Sequence, residues 1–426
     1  MSNVRDFGAA GDGQTNDTDS LRHAVAAGGG RLVFPRGTYR LTAPLEIDLD
    51  RSGPIALAGE GGTARLLMEG PGPAVRLVGT HYKSADPASF EPRVWRSQRL
   101  PTVSELEIVG NHEQADGIEL EGTMQATITG VSIRRCRFGI HLVKRNRNVL
   151  LADSHIYEGR SSSVGVFFDR VNLHQTIITG CHISLCKHAG IKVLGGEIRN
   201  LQITGCDIEY NYDPASPDSA DIWIDAREGT IREGTIASNT IQAKGSPRGA
   251  NVRIEGAERG DSAGSGLWAI TGNVVMDQQI NVWLRNCRGI TLTGNTIASG
   301  LERSIVLEGC RDVVIGSNVL DHNSDYSGTI TDGIRVVRSA GINLHSLIMD
   351  GCRAGGPDEG GAIEVVDSSE VLILGCQVLD PEFRGIDIRN CRNTNVSACT
   401  IVDRRAHPTM HEPVRIVGST KPPSLG

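Results

Sequence analysis

One short phrase is rewritten along most of this chain: a small residue, then Ile, then a variable residue, then an aliphatic one. It is fullest in Ile280–Ser299, INVWLRNCRGITLTGNTIAS. There Ile280, Val282 and Leu284 alternate with Asn281, Trp283 and Arg285. A turn follows at Asn286–Cys287, then a second strand at Ile290–Leu292, a Gly294–Asn295 pair, and an apolar patch at Thr296–Ala298. The phrase returns at Gly333–Val336, Ala362–Val365 and Gly385–Ile388. A period of two is a strand signal. Strands this short cannot bury themselves, so units repeated at a steady interval must stack on one another and share one core. That overrides the two or three domains that 426 residues would suggest by default.

The expectation is therefore an all-β solenoid, one domain over residues 1–426, with about eleven to twelve coils. Residues 1–41 read as an N-terminal cap, 42–403 as coils and 404–426 as a C-terminal tail that is loose or docked. In the cap, Val4–Phe7 reads as a strand. Asp17 reads as the N-cap of a short helix over Thr18–Ala27, with Leu21 and Val25 on its apolar face. Such a helix is the right size to cover the open end of stacked strands, which would otherwise aggregate. The 52 glycines and 4% aromatic content suit short strands and tight turns.

Net charge is −7 and no Lys/Arg run stands out, so nucleic-acid binding has no electrostatic support. No apolar run reaches about 18 residues, so no membrane helix is expected. The opening residues lack a charged-then-apolar leader, which gives the expectation of a cytoplasmic protein, or of one exported by another route. Ten cysteines include no CxxC pair, which argues against a zinc site. Cys287, Cys310 and Cys391 each follow the same strand by three residues. Cys181, Cys206 and Cys376 stand where other coils have Asn239, Asn273, Asn295 and Asn318. A slot shared by Cys and Asn reads as a small interior turn residue, with the thiols reduced. No metal and no cofactor is expected.

The head, VRDFGAAGDGQTNDTDSLRHAVAAGGGRLVFPRGTYRL, resembles the opening of pectate-lyase-like right-handed parallel β-helix proteins. That superfamily includes polysaccharide lyases, polygalacturonase-type hydrolases, alginate epimerases and phage tailspikes. The resemblance implies a right-handed parallel β-helix with a substrate groove on one sheet, flanked by loops. It does not fix a chemistry, because one scaffold hosts many.

Aligning the repeated strand places one outward residue per coil: Glu119, His141, Phe167, Lys192, Trp223, Arg253, Trp283, Val306, Arg335, Glu364 and Asp387, at intervals of 22 to 31 residues. Two residues later runs a second column with Glu121, Asp169, Asp225, Glu255, Arg285, Glu308 and Arg389. Coils stack at about 4.8 Å, so Trp223 and Trp283 stand about 10 Å apart. Trp223 and Trp283, with Lys192, Arg253, Arg285 and Arg335 beside them, read as an exposed groove for sugars carrying hydroxyl or carboxylate groups. Phe167, His141, Asp221 and Asp332 complete the candidate substrate-binding set. Asp225 and Glu255 fall in adjacent coils about 4.8 Å apart, a spacing suited to a nucleophile plus acid/base. Lys192 and Arg253 are the candidate cations for a lyase, which must neutralise a uronate. Insertions at Asn211–Ser219, Asp321–Thr331 and Arg353–Gly360 precede the same strand, and residues 80–102 hold His81, Trp95 and several arginines as a further wall.

Family motifs match only in part. Asp116–Gly117 and Asp332–Gly333 carry the end of a polygalacturonase motif whose other parts are missing. Phe138–Leu142 stands where alginate epimerases have Tyr–Gly–Phe–Asp–Pro–His. Asp169 and Lys187–His188 match that family's downstream acid and basic pair. The leading expectation is a carbohydrate-active enzyme, a hydrolase, lyase or glycosyl-transfer type, acting on a poly- or oligosaccharide. The alternatives are an intracellular pectate-lyase-like cyclase acting on a polyketide-type substrate, and a non-catalytic glycan-binding β-helix. Its partner is then a carbohydrate or other small molecule, with neither nucleic acid nor membrane. A homo-oligomer is open, since similar proteins form trimers.

Overall fold

The computed structural model describes residues 1–83, 87–216, 218–258, 264–323 and 329–421. Residues 84–86 of the expected wall, 217 and 324–328 of the expected loops, and 422–426 of the expected tail lie outside the described residues. The chain forms two compact units, Met1–Asn211 and Tyr212–Gly426. Each is a right-handed parallel β-solenoid, and every strand pairing named below is parallel. Of the short rungs on one sheet, eight fall in the first unit and seven in the second, so there are fifteen turns. That exceeds the eleven to twelve expected, because four rungs, Asp12–Asn16, Gly37–Leu41, Ala64–Met68 and Leu106–Gly110, precede the first strand that carries the repeated phrase.

In the first unit, Ser2–Asn3 pairs with Arg31–Phe34, and Asp12–Asn16 pairs with Gly37–Leu41. The helix is Thr18–Ala27, as its pattern requires, with Leu21 and Ala24 buried. Two local expectations fail. Val4–Phe7 is a 3-10 turn, started by Asn3 accepting from the Arg5 amide and ended by Gly8 at φ 91°. Asp17 does not cap the helix with its side chain. Its carboxylate instead accepts the amides of Ala10 (2.7 Å) and Gly11 (3.1 Å), tying the glycine-rich turn to the helix start. Further on, Phe138–Ala152, Val164–Thr179 and Ala189–Thr204 each run through a corner as long bent strands in register. The described part of the 80–102 insertion has a short π-helix, Val94–Gln98, and Phe90 stacks on Trp95 at 6.2 Å.

In the second unit the Ile280–Arg285 strand has Val282 and Leu284 in the core, whereas Ile280, expected beside them, packs with Ala250, Trp283 and Val306 on the cleft side. The turn after this strand needs a left-handed residue, and successive coils place Asn286, Gly309, Arg338, Asp367 and Asn390 there, all near φ 50–60°. The Asn slot is a hydrogen-bonded ladder. Asn273 Oδ1 accepts from Asn239 N and Nδ2, both at 3.0 Å. Asn295 does the same for Asn273, and Asn318 for Asn295, at 2.8–3.0 Å. Each amide thus satisfies the buried turn of the coil before it. The cysteine slot runs Cys287, Cys310, Ser339, Ser368 and Cys391, with the Ser339 and Ser368 hydroxyls accepting the preceding coil's amide. All ten cysteines are free thiols, and nine are buried. Burial pushes Cys136 and Cys352 up to about 12. From the tail, Glu412–Val417 docks as a strand beside Arg384–Arg389. Among the described residues no helix is long and apolar enough to cross a membrane.

Candidate functional site

Alternation aims the variable residue of each repeated strand outward, and parallel pairing stacks those residues. In the first unit the register is Arg76, Glu119, His141, Phe167, Lys192. Arg76 spans three carboxylates, Glu46 at 3.1 Å, Glu119 at 2.9 Å and Glu121 at 2.8 Å. His141 Nδ1 lies 3.2 Å from Glu119 Oε2, and Nε2 lies 3.5 Å from Asp169 Oδ2. Because a carboxylate only accepts, the Glu119 contact places the proton on Nδ1. The same hydrogen bond, with the Arg76 charge, holds the Glu119 carboxyl below the usual range against its burial. The His141 ring stacks on Phe167 at 5.3 Å, nearly coplanar, and meets Phe138 at 4.8 Å. Beyond Phe167, Lys192 Nζ lies 2.6 Å from His188 Nε2, and both side chains are half-buried. This cluster joins an imidazole held between two carboxylates to an ammonium in contact with a second imidazole. Phe167 and His141 are buried, and Asp169 is about one-third exposed.

In the second unit the register is Trp223, Arg253, Trp283, Val306, Arg335, Glu364, Asp387, as the alignment requires. The expected exposure fails. Trp223, Arg253 and Trp283 are only 4%, 2% and 9% exposed. The cause is their mutual stacking. The Arg253 guanidinium lies 4.2 Å from the Trp223 ring centre and 4.5 Å from that of Trp283. It pairs with Glu255 at 3.0 Å and Asp218 at 2.7 Å, and the Trp223 indole donates to Glu255 at 3.0 Å. The inner aromatic faces are therefore filled by a cation and do not offer a stacking platform to a sugar.

Asp225 and Glu255 do pair in adjacent strands. Each, however, has its own guanidinium. Arg227 clamps Asp225 at 2.8 and 2.6 Å, and Arg253 holds Glu255. Both carboxylates are buried. Asp221 is buried too, accepting from Asn251 at 2.9 Å within a side-chain ladder that continues to Asn281. Asp332 sits at a left-handed corner, φ 57°, where Gly300 N and Ser304 donate to it and His322 lies at 3.2 Å. Burial raises its carboxyl above the usual range despite the His322 charge. Arg285 reaches outward to Glu258 at 2.6 Å. Arg335 is the most open of the set, its side chain 45% exposed beside Glu364. A cleft of about 500 Å³ opens here, lined by Gln279, Ile280, Trp283, Arg303, Val306 and Arg335 among others. The Arg353–Gly360 loop rises on this face, its carbonyls at 356 and 357 accepting from Arg384.

The sequence columns contain Glu119 and Asp169 without marking them as partners of His141. His188 has no period that singles it out, since it stands before its strand. Only the family likeness of Lys187–His188 points to it.

Comparisons with known proteins add the following. The right-handed β-helix region profile matches residues 96–236 and 280–411. A rhamnogalacturonase A/epimerase, pectate lyase-like profile matches residues 1–87. Alginate lyase 7 of Azotobacter vinelandii is 50% identical over 44 residues, 9% of this chain and 5% of that protein. Mannuronan C5-epimerase AlgE4 of the same organism is 40% identical over 77 residues, 16% of this chain and 14% of that protein. These matches cover only a small part of the length of either curated relative. Among solved structures, the Dettilon tailspike protein superposes with a TM-score of 0.56 at 16% identity, covering 80% of this chain and 67% of that one.

Proposed function

The chain belongs to the right-handed β-helix family, and from that premise we propose that it is a polysaccharide-modifying enzyme acting on an acidic polysaccharide. The chemistry is proton abstraction next to a carboxylate, as in a lyase or an epimerase. The observation that carries this reading is the contact of Lys192 Nζ with His188 Nε2, at 2.6 Å, beside the Glu119–His141–Asp169 group. The short identities to an alginate lyase and a mannuronan epimerase support the substrate class.

In this reading Lys192 binds the sugar carboxylate and makes the adjacent C–H more acidic. His188 then takes that proton as general base. The carbanion electrons either expel the glycosidic oxygen, which takes up the proton His188 has gained, giving elimination, or capture a proton from solvent on the other face while His188 later releases its own to solvent, giving epimerisation. Asp169, beside His141, lines the approach. A glycosidase mechanism on Asp225 and Glu255 has less support, because both carboxylates are buried and arginine-paired.

The test is turnover on alginate, polygalacturonate and a set of neutral glycans, read by absorbance of the unsaturated product and by NMR of the sugar configuration. Lys192→Met and His188→Gln are expected to lower turnover about a hundredfold or more while the fold is kept. Full activity in both variants, or activity only on neutral glycans, would overturn the reading.

A further inference from the structure

Away from that cluster, on the other sheet of the first unit, His182–Ser184 and Asp207–Glu209 pair in parallel. His182 stands opposite Asp207, and Ser184 opposite Glu209. Residues two apart on a strand share a face, so all three side chains emerge together. One ligand atom from each of His182, Asp207 and Glu209 lies within 4.8 Å of the other two. His182 Nε2 is 3.3 Å from Glu209 Oε1. His155, one coil earlier in register, packs edge-on against the His182 ring at 5.8 Å and steadies it.

The charge balance here differs from the rest of the sheet. Glu107, on the same sheet, sits between Arg65 at 2.5 Å and Arg134 at 3.0 Å. Among the described residues no Lys or Arg pairs with Asp207 or Glu209, whose one basic neighbour is His182. Burial and the neighbouring Glu209 charge together push the Asp207 carboxyl up, with His182 opposing. Two carboxylates and an imidazole thus converge at one point on this sheet.

We propose that His182, Asp207 and Glu209 bind one divalent first-row transition ion of the zinc type. The donor set decides the class. An imidazole with two carboxylates suits zinc-like ions, whereas calcium and magnesium take oxygen donors. Bonds of about 2.0–2.2 Å need only a small contraction of the present spacing. Three protein ligands leave a coordination position to solvent. The ligands come from two consecutive coils, so the ion pins one turn of the solenoid to the next. No sequence motif marks the site, because its halves lie a whole coil apart.

The test uses the full chain after chelator dialysis, titrated calorimetrically with Zn²⁺, Mn²⁺ and Ca²⁺, with thermal unfolding in parallel. One Zn²⁺ per chain is expected, with a Kd of roughly micromolar, and Zn²⁺ raises Tm. His182→Ala and Glu209→Gln should each weaken Zn²⁺ at least about tenfold and abolish the Tm rise. Both positions are partly exposed, so the metal-free variants should unfold at the wild-type temperature. Absence of saturable binding, wild-type Zn²⁺ affinity in both variants, or Ca²⁺ binding as tight as Zn²⁺ would each overturn the proposal. Binding is read without turnover, so this result is separate from the fate of the Lys192–His188 reading.

Discussion

The strands carrying His141 and Lys192 and those carrying Trp223, Arg253 and Trp283 share one construction, and use it to opposite ends. Both put a large side chain outward once per coil. In the second unit those side chains close on one another. Two indoles clamp a guanidinium that two carboxylates neutralise, and almost nothing is left for water to reach. In the first unit the corresponding groups are titratable and half-open at Lys192 and His188. Large aromatic and basic residues on a solenoid face are thus ambiguous. What separates a structural clasp from a reactive group is whether neighbours in register can neutralise and cover each other.

The comparison breaks most readily at Arg253. Arg253→Met leaves Glu255 buried without its cation and should cost about 3–5 kcal/mol in chemical denaturation. A cost under about 1 kcal/mol would mean that the clasp is not structural. Lys192→Met should behave in the reverse way, lowering turnover about a hundredfold while changing stability by no more than about 1 kcal/mol.

The first unit should also answer to pH. His81 is buried, and burial together with the Arg145 and Arg147 charges pushes it down to about 4. Between about 6.5 and that value the unfolded chain binds a proton that the folded chain refuses. Stability therefore rises with pH across this window and is lost on acidification, by at most about 1.4 kcal/mol per pH unit. His81→Phe should flatten that slope in denaturation curves taken from pH 7 to 4. The smallest effect separates the two indoles. Trp223→Phe removes a buried hydrogen bond to Glu255 and should cost about 1–3 kcal/mol. Among the described residues the Trp283 N–H has no acceptor, so Trp283→Phe should cost less than about 1.5 kcal/mol. Equal costs would show that the two rings are equivalent after all.

The period of two and the interval between coils were enough to read the solenoid, the helix over Thr18–Ala27, and the register that brings Trp223, Arg253 and Trp283 into one column. The number of turns was not legible, because early strands such as Asp12–Asn16 have weak alternation and are recruited by pairing with their neighbours. Exposure was not legible either. Outward direction follows from local backbone geometry, whereas cover depends on what the next coil brings, as Arg253 shows. Asp17 illustrates the same limit. Its type and position suggest a helix cap, yet two amides of a distant turn take its carboxylate.

The asparagine ladder has one more consequence. The inner rungs, Asn273 and Asn295, each present the same oxygen to the coil before and the same amide to the coil after. Excising residues 273–294 would set Asn295 beneath Asn239 with the joint chemically unchanged. A slip of a single residue would break it. Length in this molecule is therefore quantised at the asparagine: a storey can differ in size elsewhere, from 22 to 34 residues between successive asparagines, but must enter and leave the ladder in phase.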